Sequence, residues 1–207
     1  MSMLEPQDWS FPVPITYDPG RLAEIADFCS NAGMNKPILV TDRGSRDLLF
    51  IASIMQTLKN NGLSCDIYSG ISPNPRGDEI AAGRQMFRQG EHDGILAVGG
   101  GSGMDGGKAI VTVTNNDIDL RAFEFEQTPP DMTHEKPFPL LICIPTTADT
   151  GTETEGTAMI TKAERKMKLC TWHPQLKPAL ELLDTVRIPL TLTGIGVPVD
   201  SAAGTNP

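Results

Sequence analysis

The chain has 207 residues, enough for one large domain or for one domain with an appendage. Its hydrophobic content of 39% is ordinary, so a packed core is within reach, and its charge is acidic, with 17 basic against 26 acidic residues. No Lys/Arg-rich run and no apolar run of membrane-spanning length occurs, so neither nucleic acid nor a membrane is an expected partner.

The four cysteines, Cys29, Cys65, Cys143 and Cys170, are scattered and form no C-x-x-C pair. They read as reduced, mostly buried thiols in a cytoplasmic protein. The first residues, MSMLEPQDWSFPVP, lack the basic start and apolar run of a secretory signal and are broken by proline, so an extended segment is expected.

Helical spacing of Leu22, Ile25, Ala26 and Cys29 predicts a helix over 21–31, stopped by Gly33. Lys36–Thr41 reads as a buried strand with Asp42 at its carboxyl end. A second helix is predicted over 46–60, with Leu48, Ala52 and Met55 facing the core beside an Ile51/Leu58 edge. Leu63–Tyr68 is the next strand, Ile71-Ser-Pro-Asn-Pro75 a rigid loop, and 78–89 a third helix. Strand and helix therefore alternate, which predicts an α/β fold with a parallel sheet and right-handed crossovers.

Gly94–Ile110 organises the rest. Ile95–Val98 suits a buried strand, Gly99, Gly100 and Gly101 a turn, and Ser102 the N-cap of a helix, with Asp105 three residues on in a capping-box pattern. A strand, a glycine turn and a helix N-terminus form an anion site, since backbone N–H groups and the helix dipole both favour negative charge. The spacing matches neither G-x-G-x-x-G nor the P-loop, and a tight turn without ligand is the alternative. Gly106 and Gly107 inside the helix call for a close approach by ligand or sheet. Beyond it, 115–139 reads as a polar surface excursion anchored by Phe123 and Phe125, Leu140–Ile144 as a strand, Thr157–Thr161 and Lys166–Thr171 as a hairpin, and Ala179–Leu183 as a last strand.

Ligands of a parallel sheet lie beyond the carboxyl ends of its strands, where Asp42, Asn74 and Gly99–Ser102 would converge. A carboxylate at Asp42 can accept from adenosine ribose hydroxyls and repel a 2′-phosphate, or it can cap the following turn. Thr146, Thr147, Thr150 and Thr152 crowd one loop around Gly151 and could serve pyrophosphate, ribose or carboxamide groups. Lys108 could pair with Asp105 at i, i+3 as structure.

GGGSGMDGGK (Gly99–Lys108) resembles the GGGS-x-x-D-x-x-K signature of the iron-containing (group III) alcohol dehydrogenase family, and PTTADTGTETE (Pro145–Glu155) resembles its PTT-x-x-TG-[ST]-E loop. ITYDPG (Ile15–Gly20) is similar to that family's entry segment, so the resemblance runs over nearly the whole chain. It implies a Rossmann-like parallel sheet with flanking helices, as in dehydroquinate synthase-like N-terminal domains. Residues 1–187 would form this dinucleotide-binding domain, and 188–207 the stub of a helical metal-binding domain. The implied activity is hydride transfer between a small alcohol or aldehyde and nicotinamide, in a homo-oligomer. By resemblance, Asp42 implies NAD over NADP, the threonine loop lines the cofactor towards its nicotinamide end, and Lys168 reaches a cofactor ribose. Asp149 and Thr152 replace the family's commoner glycine and serine.

The family's divalent metal, iron or zinc, is held by an Asp, a His four residues later and two further histidines, and acts as a Lewis acid on the alcohol. Asp200 matches that Asp, but Gly204 stands at the His position and the sequence ends at Pro207. None of His92, His134 and His173 is spaced to replace the missing ligands. The expectation is a chain that binds cofactor without efficient turnover. Two alternatives stay open: a relative of glycerol-phosphate dehydrogenase or dehydroquinate synthase, and a non-catalytic dinucleotide-binding module.

Overall fold

The computed structural model of the protein describes residues 13–17, 20–147, 151–162 and 167–183. A parallel sheet carries the order β1-β8-β5-β4-β2-β3. Its strands are β1 (Ile15–Tyr17), β2 (Pro37–Asp42), β3 (Asp66–Ile71), β4 (Gly94–Gly99), β5 (Leu140–Pro145) and β8 (Leu180–Leu183). An antiparallel hairpin, β6 (Thr157–Lys162) with β7 (Met167–Trp172), lies outside it. The helices are α1 (Ile25–Ala32), entered through a 3₁₀ turn at Arg21–Glu24, α2 (Leu49–Asn60), α3 (Gly77–Gln89) and α4 (Gly101–Thr114). Among the described residues no helix is long and apolar enough to cross a membrane.

Strand alternation divides the core in two. Leu39, Leu96, Val98, Ile142 and Ile144 point to the α1/α2 face, against Ile25, Cys29, Ile51, Ile54 and Leu58. Ile38, Val40, Ile95, Ala97, Leu141 and Cys143 point to the other face, against α3, α4 and Ala158 and Ile160 of the hairpin. Both faces of the central strands are covered, which is why β2 and β4 read as unbroken apolar runs. From β2 the chain builds outward to β3, then returns to place β4 on the other side of β2 and builds towards β5. The order reverses between β2 and β4, and in such sheets the crevice for a ligand lies beyond the carboxyl ends at that point.

α4 is buried from Gly103 to Thr114, between the sheet and the hairpin. Its internal glycines answer to the sheet rather than to a ligand. An ideal Cβ on Gly107 would lie 2.5 Å from Ala97 Cβ, and one on Gly106 would lie 2.6 Å from Ile71 Cδ1.

Four expectations need correction. α2 buries Ile51, Ile54 and Leu58 and leaves Leu48 and Ala52 exposed. The run LFIASIMQTL carries two apolar stripes one residue apart, and contact with β2 and β4 selects the isoleucine stripe. α2 also starts at Leu49 rather than 46, because residues 42–48 form a turn held by the Asp42 carboxylate. β3 lies three residues later than the predicted strand, in register with Ile38–Asp42. In the 115–139 excursion Phe123 is fully buried, whereas Phe125 is 56% exposed, with its ring edge-on to Trp172 at 5.7 Å. The cysteines are free thiols, with Cys29 and Cys143 buried. Burial pushes the Cys143 thiol up to about 12.

Two predictions follow from this packing. Gly107→Ala gains about 1 kcal/mol of helix propensity but overpacks the Ala97 contact at a cost of about 1–3 kcal/mol. It should lower the urea midpoint, whereas Gly77→Ala, with nothing within 4 Å of its new Cβ, should leave the midpoint unchanged or raise it. Equal shifts in the two variants would show that α4 does not press on the sheet. The second concerns Glu181, which lies buried opposite Cys143 with Oε2 unpartnered among the described residues. Burial, then the nearby charge of Glu153, pushes its carboxyl up to about 7. The native state therefore holds this proton where the unfolded chain has lost it. The resulting stability is complete below the ordinary glutamate range and is lost as pH rises through about 7. Glu181→Gln should match wild type in thermal midpoint near pH 5 and exceed it near pH 8. A constant difference at both values would refute this.

Candidate cofactor site

β4 ends on Gly99, whose φ of +139° is a conformation that glycine alone takes readily. Its carbonyl accepts from Thr146 N at 3.0 Å, tying the turn to the end of β5. An ideal Cβ on Gly100 would lie 3.1 Å from Thr147 Oγ1. α4 opens on Gly101 with Gly100 as N-cap, and no side chain caps it. The first-turn N–H groups of Gly101, Ser102 and Gly103 have no intrahelical partner and lie just beyond the carboxyl end of β4.

The expected cap at Ser102 is not formed. Ser102 is the second helical residue, and its Oγ accepts from Asn74 N at 3.3 Å. Asn74 itself has φ +62°, and the loop that carries it is braced by buried Glu79. That carboxylate accepts from Ser72 N, Ser72 Oγ, Arg76 N and the Arg43 guanidinium. Asp105 does not reach back to the helix start either. It turns inward, accepts from Thr152 Oγ1 at 2.8 Å and lies 3.8 Å from Lys108 Nζ.

Lys108 is the hub of this arrangement and is fully buried. Its ammonium donates to Thr152 O, to Thr152 Oγ1 at 2.6 Å, to Thr157 O at 2.6 Å and to Glu155 O at 3.3 Å. Burial draws the Lys108 pKa down and pushes that of Asp105 up. The oxygen shell and the Asp105 charge oppose that desolvation. The glycine turn's helix is thereby fastened to the threonine loop. Thr152 spends its hydroxyl on this inner network, while Thr146 is half-buried and Thr147 exposed at the crevice. Lys168 lies exposed on β7, in register with Thr161. Thr150 lies outside the described residues.

Asp42 performs the capping role and still borders the crevice. Oδ1 accepts from Gly44 N and Ser45 N, Oδ2 accepts from Ser45 Oγ, and Oδ2 would lie 3.3 Å from a Cβ on Gly99. The structure thus gathers Asp42, Asn74, Gly99, Gly100, Gly101, Ser102, Thr146 and Thr147 near the carboxyl ends of β2 and β4. It adds Thr41, a buried hydroxyl with no partner among the described residues, 3.8 Å from the Gly99 Cβ position. At the end of the apolar run of β2, nothing in the sequence singles Thr41 out. An anion cradle that a Cβ would fill, an uncapped helix start and an orphaned hydroxyl all fit a dinucleotide phosphate and its ribose.

A metal is different. Among the described residues no three His, Cys, Asp or Glu side chains gather into a metal-binding group. His92 Nδ1 faces Lys36 O at 3.1 Å, and His173 contacts Pro130 O and the Phe123 and Phe138 rings. The described donors do not fit a divalent metal, and Asp200 lies outside the described residues.

Lys108→Met should cost about 3–5 kcal/mol, because it strands Asp105 and several carbonyls in a dry interior. Amide exchange should speed up at 151–157 before it does in β2 or β4. Unchanged protection of that segment would sink the hub role.

A sequence profile of iron-containing alcohol dehydrogenases matches residues 12–185. Choline dehydrogenase of Bacillus subtilis is 29% identical over 183 residues, 88% of this chain and 45% of the relative. A crystal structure of 1,3-propanediol oxidoreductase superposes with a TM-score of 0.77 at 27% identity, covering 86% of this chain and 46% of that one. Sulfoacetaldehyde reductase of Bifidobacterium kashiwanohense, solved in complex with NAD+, superposes with a TM-score of 0.72 at 25% identity, covering the same two shares. The chain spans just under half the length of these relatives. The profile runs through the glycine turn, the threonine loop and the hairpin, and the chain belongs to the iron-containing alcohol dehydrogenase family.

Proposed function

We propose that this chain binds NAD(H) and forms the dinucleotide-binding part of an alcohol dehydrogenase that moves hydride between nicotinamide and a small alcohol or aldehyde. Residues 1–187 would constitute that part; 188–207, assigned from the sequence to the stub of a helical domain, lie outside the described residues. The observation that carries the reading is the open start of α4: a positive-φ glycine, an uncapped first turn and a carboxylate 3.3 Å from the Gly99 Cβ position.

Each residue then has a task. The N–H groups of Gly101, Ser102 and Gly103 donate to the pyrophosphate, where the helix dipole contributes about half a positive charge. Gly99 and Gly100 let the phosphate approach the backbone. Asp42 accepts from the adenosine ribose and disfavours a 2′-phosphate. Thr146 and Thr147 offer hydroxyls along the path towards the nicotinamide, and Asn74 holds the opposite wall through Ser102. Once bound, the nicotinamide ring supplies the hydride acceptor or donor. Differences among the relatives' alcohols, choline against 1,3-propanediol, leave this chain with a substrate class rather than a single compound.

Titration of the purified chain with NADH and NADPH, followed by nucleotide fluorescence, should give saturable binding with NADH preferred by about tenfold or more, a gap of about 1.4 kcal/mol. Ser102→Asp adds a negative charge where the phosphate would lie, yet an acid in the first turn suits the helix dipole. It should weaken NADH binding about tenfold or more without lowering the thermal midpoint. Absence of binding to either nucleotide by the folded wild-type chain would overturn the proposal.

A further inference from the structure

The sheet takes one apolar stripe of α2 and leaves the other towards solvent. Ile51, Ile54 and Leu58 are buried, whereas Leu48 is 45% exposed, Ala52 is exposed and Met55 is half-buried. Leu48, Ala52 and Met55 follow the four- and three-residue steps of a single helical face. They line a groove of about 850 Å³ together with half-buried Leu63, Cys65 and Ile67, from the approach to β3 and its start. β3 stands last in the sheet order, so among the described residues its outer edge has no neighbouring strand. Such an edge offers backbone donors and acceptors to another strand, and proteins commonly blunt it with charge or proline. β3 reads DIYSGI, with one charged residue at its first position and no proline.

Charge selects the occupant. α2 runs against the direction of the strands, because it leads from the carboxyl end of β2 to the amino end of β3. One end of the groove therefore holds Arg46 and Asp47, and the other holds Lys59 with Asp66 beside it, about 18 Å of helix away. Arg46 donates to Ser69 Oγ at 3.1 Å, which keeps it at the carboxyl half of β3. The Asp66 carboxylate stays exposed although its Oδ2 lies 3.3 Å from His92 Nε2. Asp47 and Lys59 are exposed and form no ion pair among the described residues. Each end thus carries one cation and one anion. A two-fold axis beside β3, perpendicular to the sheet, exchanges the ends and brings opposite signs together: Arg46 with Asp66 of the other copy, and Asp47 with Lys59 of the other copy. A copy of the same surface meets this requirement through symmetry alone.

We propose that the β3 edge and the Leu48–Ala52–Met55 stripe form a self-complementary docking surface for a second copy of this chain. The two β3 strands pair antiparallel, one sheet runs through both copies, and the two α2 helices lie side by side over it. The apolar stripes supply the affinity, since exposed ion pairs contribute little, and the charges fix the register.

Sedimentation of the purified chain over a dilution series tests this. Wild type should form dimers that dissociate on dilution. Ala52→Arg places a charge in the apolar contact and should weaken association about tenfold or more. Asp47→Lys and Lys59→Asp each set like charges against one another at two places in the dimer, and each should weaken association about tenfold. An equal mixture of these two variants restores opposite signs at both places and should associate like wild type. All three substitutions fall at exposed positions, so circular dichroism should show the fold unchanged. A mixture that associates no better than its separate components overturns the two-fold arrangement. If folded Ala52→Arg associates as wild type does, another face carries the dimer and the proposal falls. A wild-type chain that stays monomeric at about 0.1 mM, where even a weak interface would register, also overturns it.

Discussion

The ammonium of Lys108 sits where two distant stretches of sequence become one structure. It belongs to the glycine-rich stretch, yet its oxygen partners, Thr152, Glu155 and Thr157, all belong to the threonine-rich stretch and the strand after it. A buried charge is costly when it lacks partners and tolerable when a preformed shell surrounds it. The shell forms only if α4 and the 151–157 segment take up their observed separation. That requirement turns a local motif into a constraint on tertiary structure, and the position of the hairpin follows from it. Asp105 completes the arrangement by receiving the Thr152 hydroxyl, so two of the most polar residues in the glycine-rich stretch serve the interior and not the ligand.

The first turn of the same helix is open because the rest of it is so fully committed. Gly103, Gly106 and Gly107 let α4 settle onto β4 and β3, with Val98 O 2.7 Å from a Cβ placed on Gly103. Such close contact fixes the helix start against the sheet end. Its first-turn N–H groups are then held at the point where the strand order reverses between β2 and β4. Preorganisation of this kind matters for anion binding, since donors already in place need no ordering when the ligand arrives.

Much of this was legible in the sequence. Parallel strands covered on both faces read as short apolar runs, and β2, β4 and β5 stood out for that reason. The glycine turn was visible because three consecutive glycines have few other uses. The hairpin was legible from the two apolar arms around 163–165. Other features depend on partners distant in sequence. Nothing local distinguishes the stripe at Ile51, Ile54 and Leu58 from its neighbour, because the sheet makes the choice. Asp105 looked like a capping residue at its local spacing, and only Thr152, brought beside it by Lys108, shows that it points inward. Ser45 and Thr41 carried no motif at all. Their interest arises from what Asp42 and Gly99 do in three dimensions.

One electrostatic question decides whether such a site can work. The chain carries a formal charge of −9, and a dinucleotide is itself an anion, so the long-range field opposes binding. At physiological ionic strength that field is screened beyond about 8 Å. On the proposed reading the helix start would act at hydrogen-bond distance, where about half a positive charge and three first-turn N–H groups would meet a bound phosphate directly. Short range therefore governs affinity, and the net charge is left to influence the association rate and the tolerance for salt. On the same reading the Asp42 carboxylate would attract no anion at a distance and would discriminate only in contact, where one ligand presents protons and the other presents charge. An acidic surface and a phosphate-binding crevice are thus compatible in one domain, provided that recognition is built from backbone donors and fixed lone pairs rather than from a basic patch.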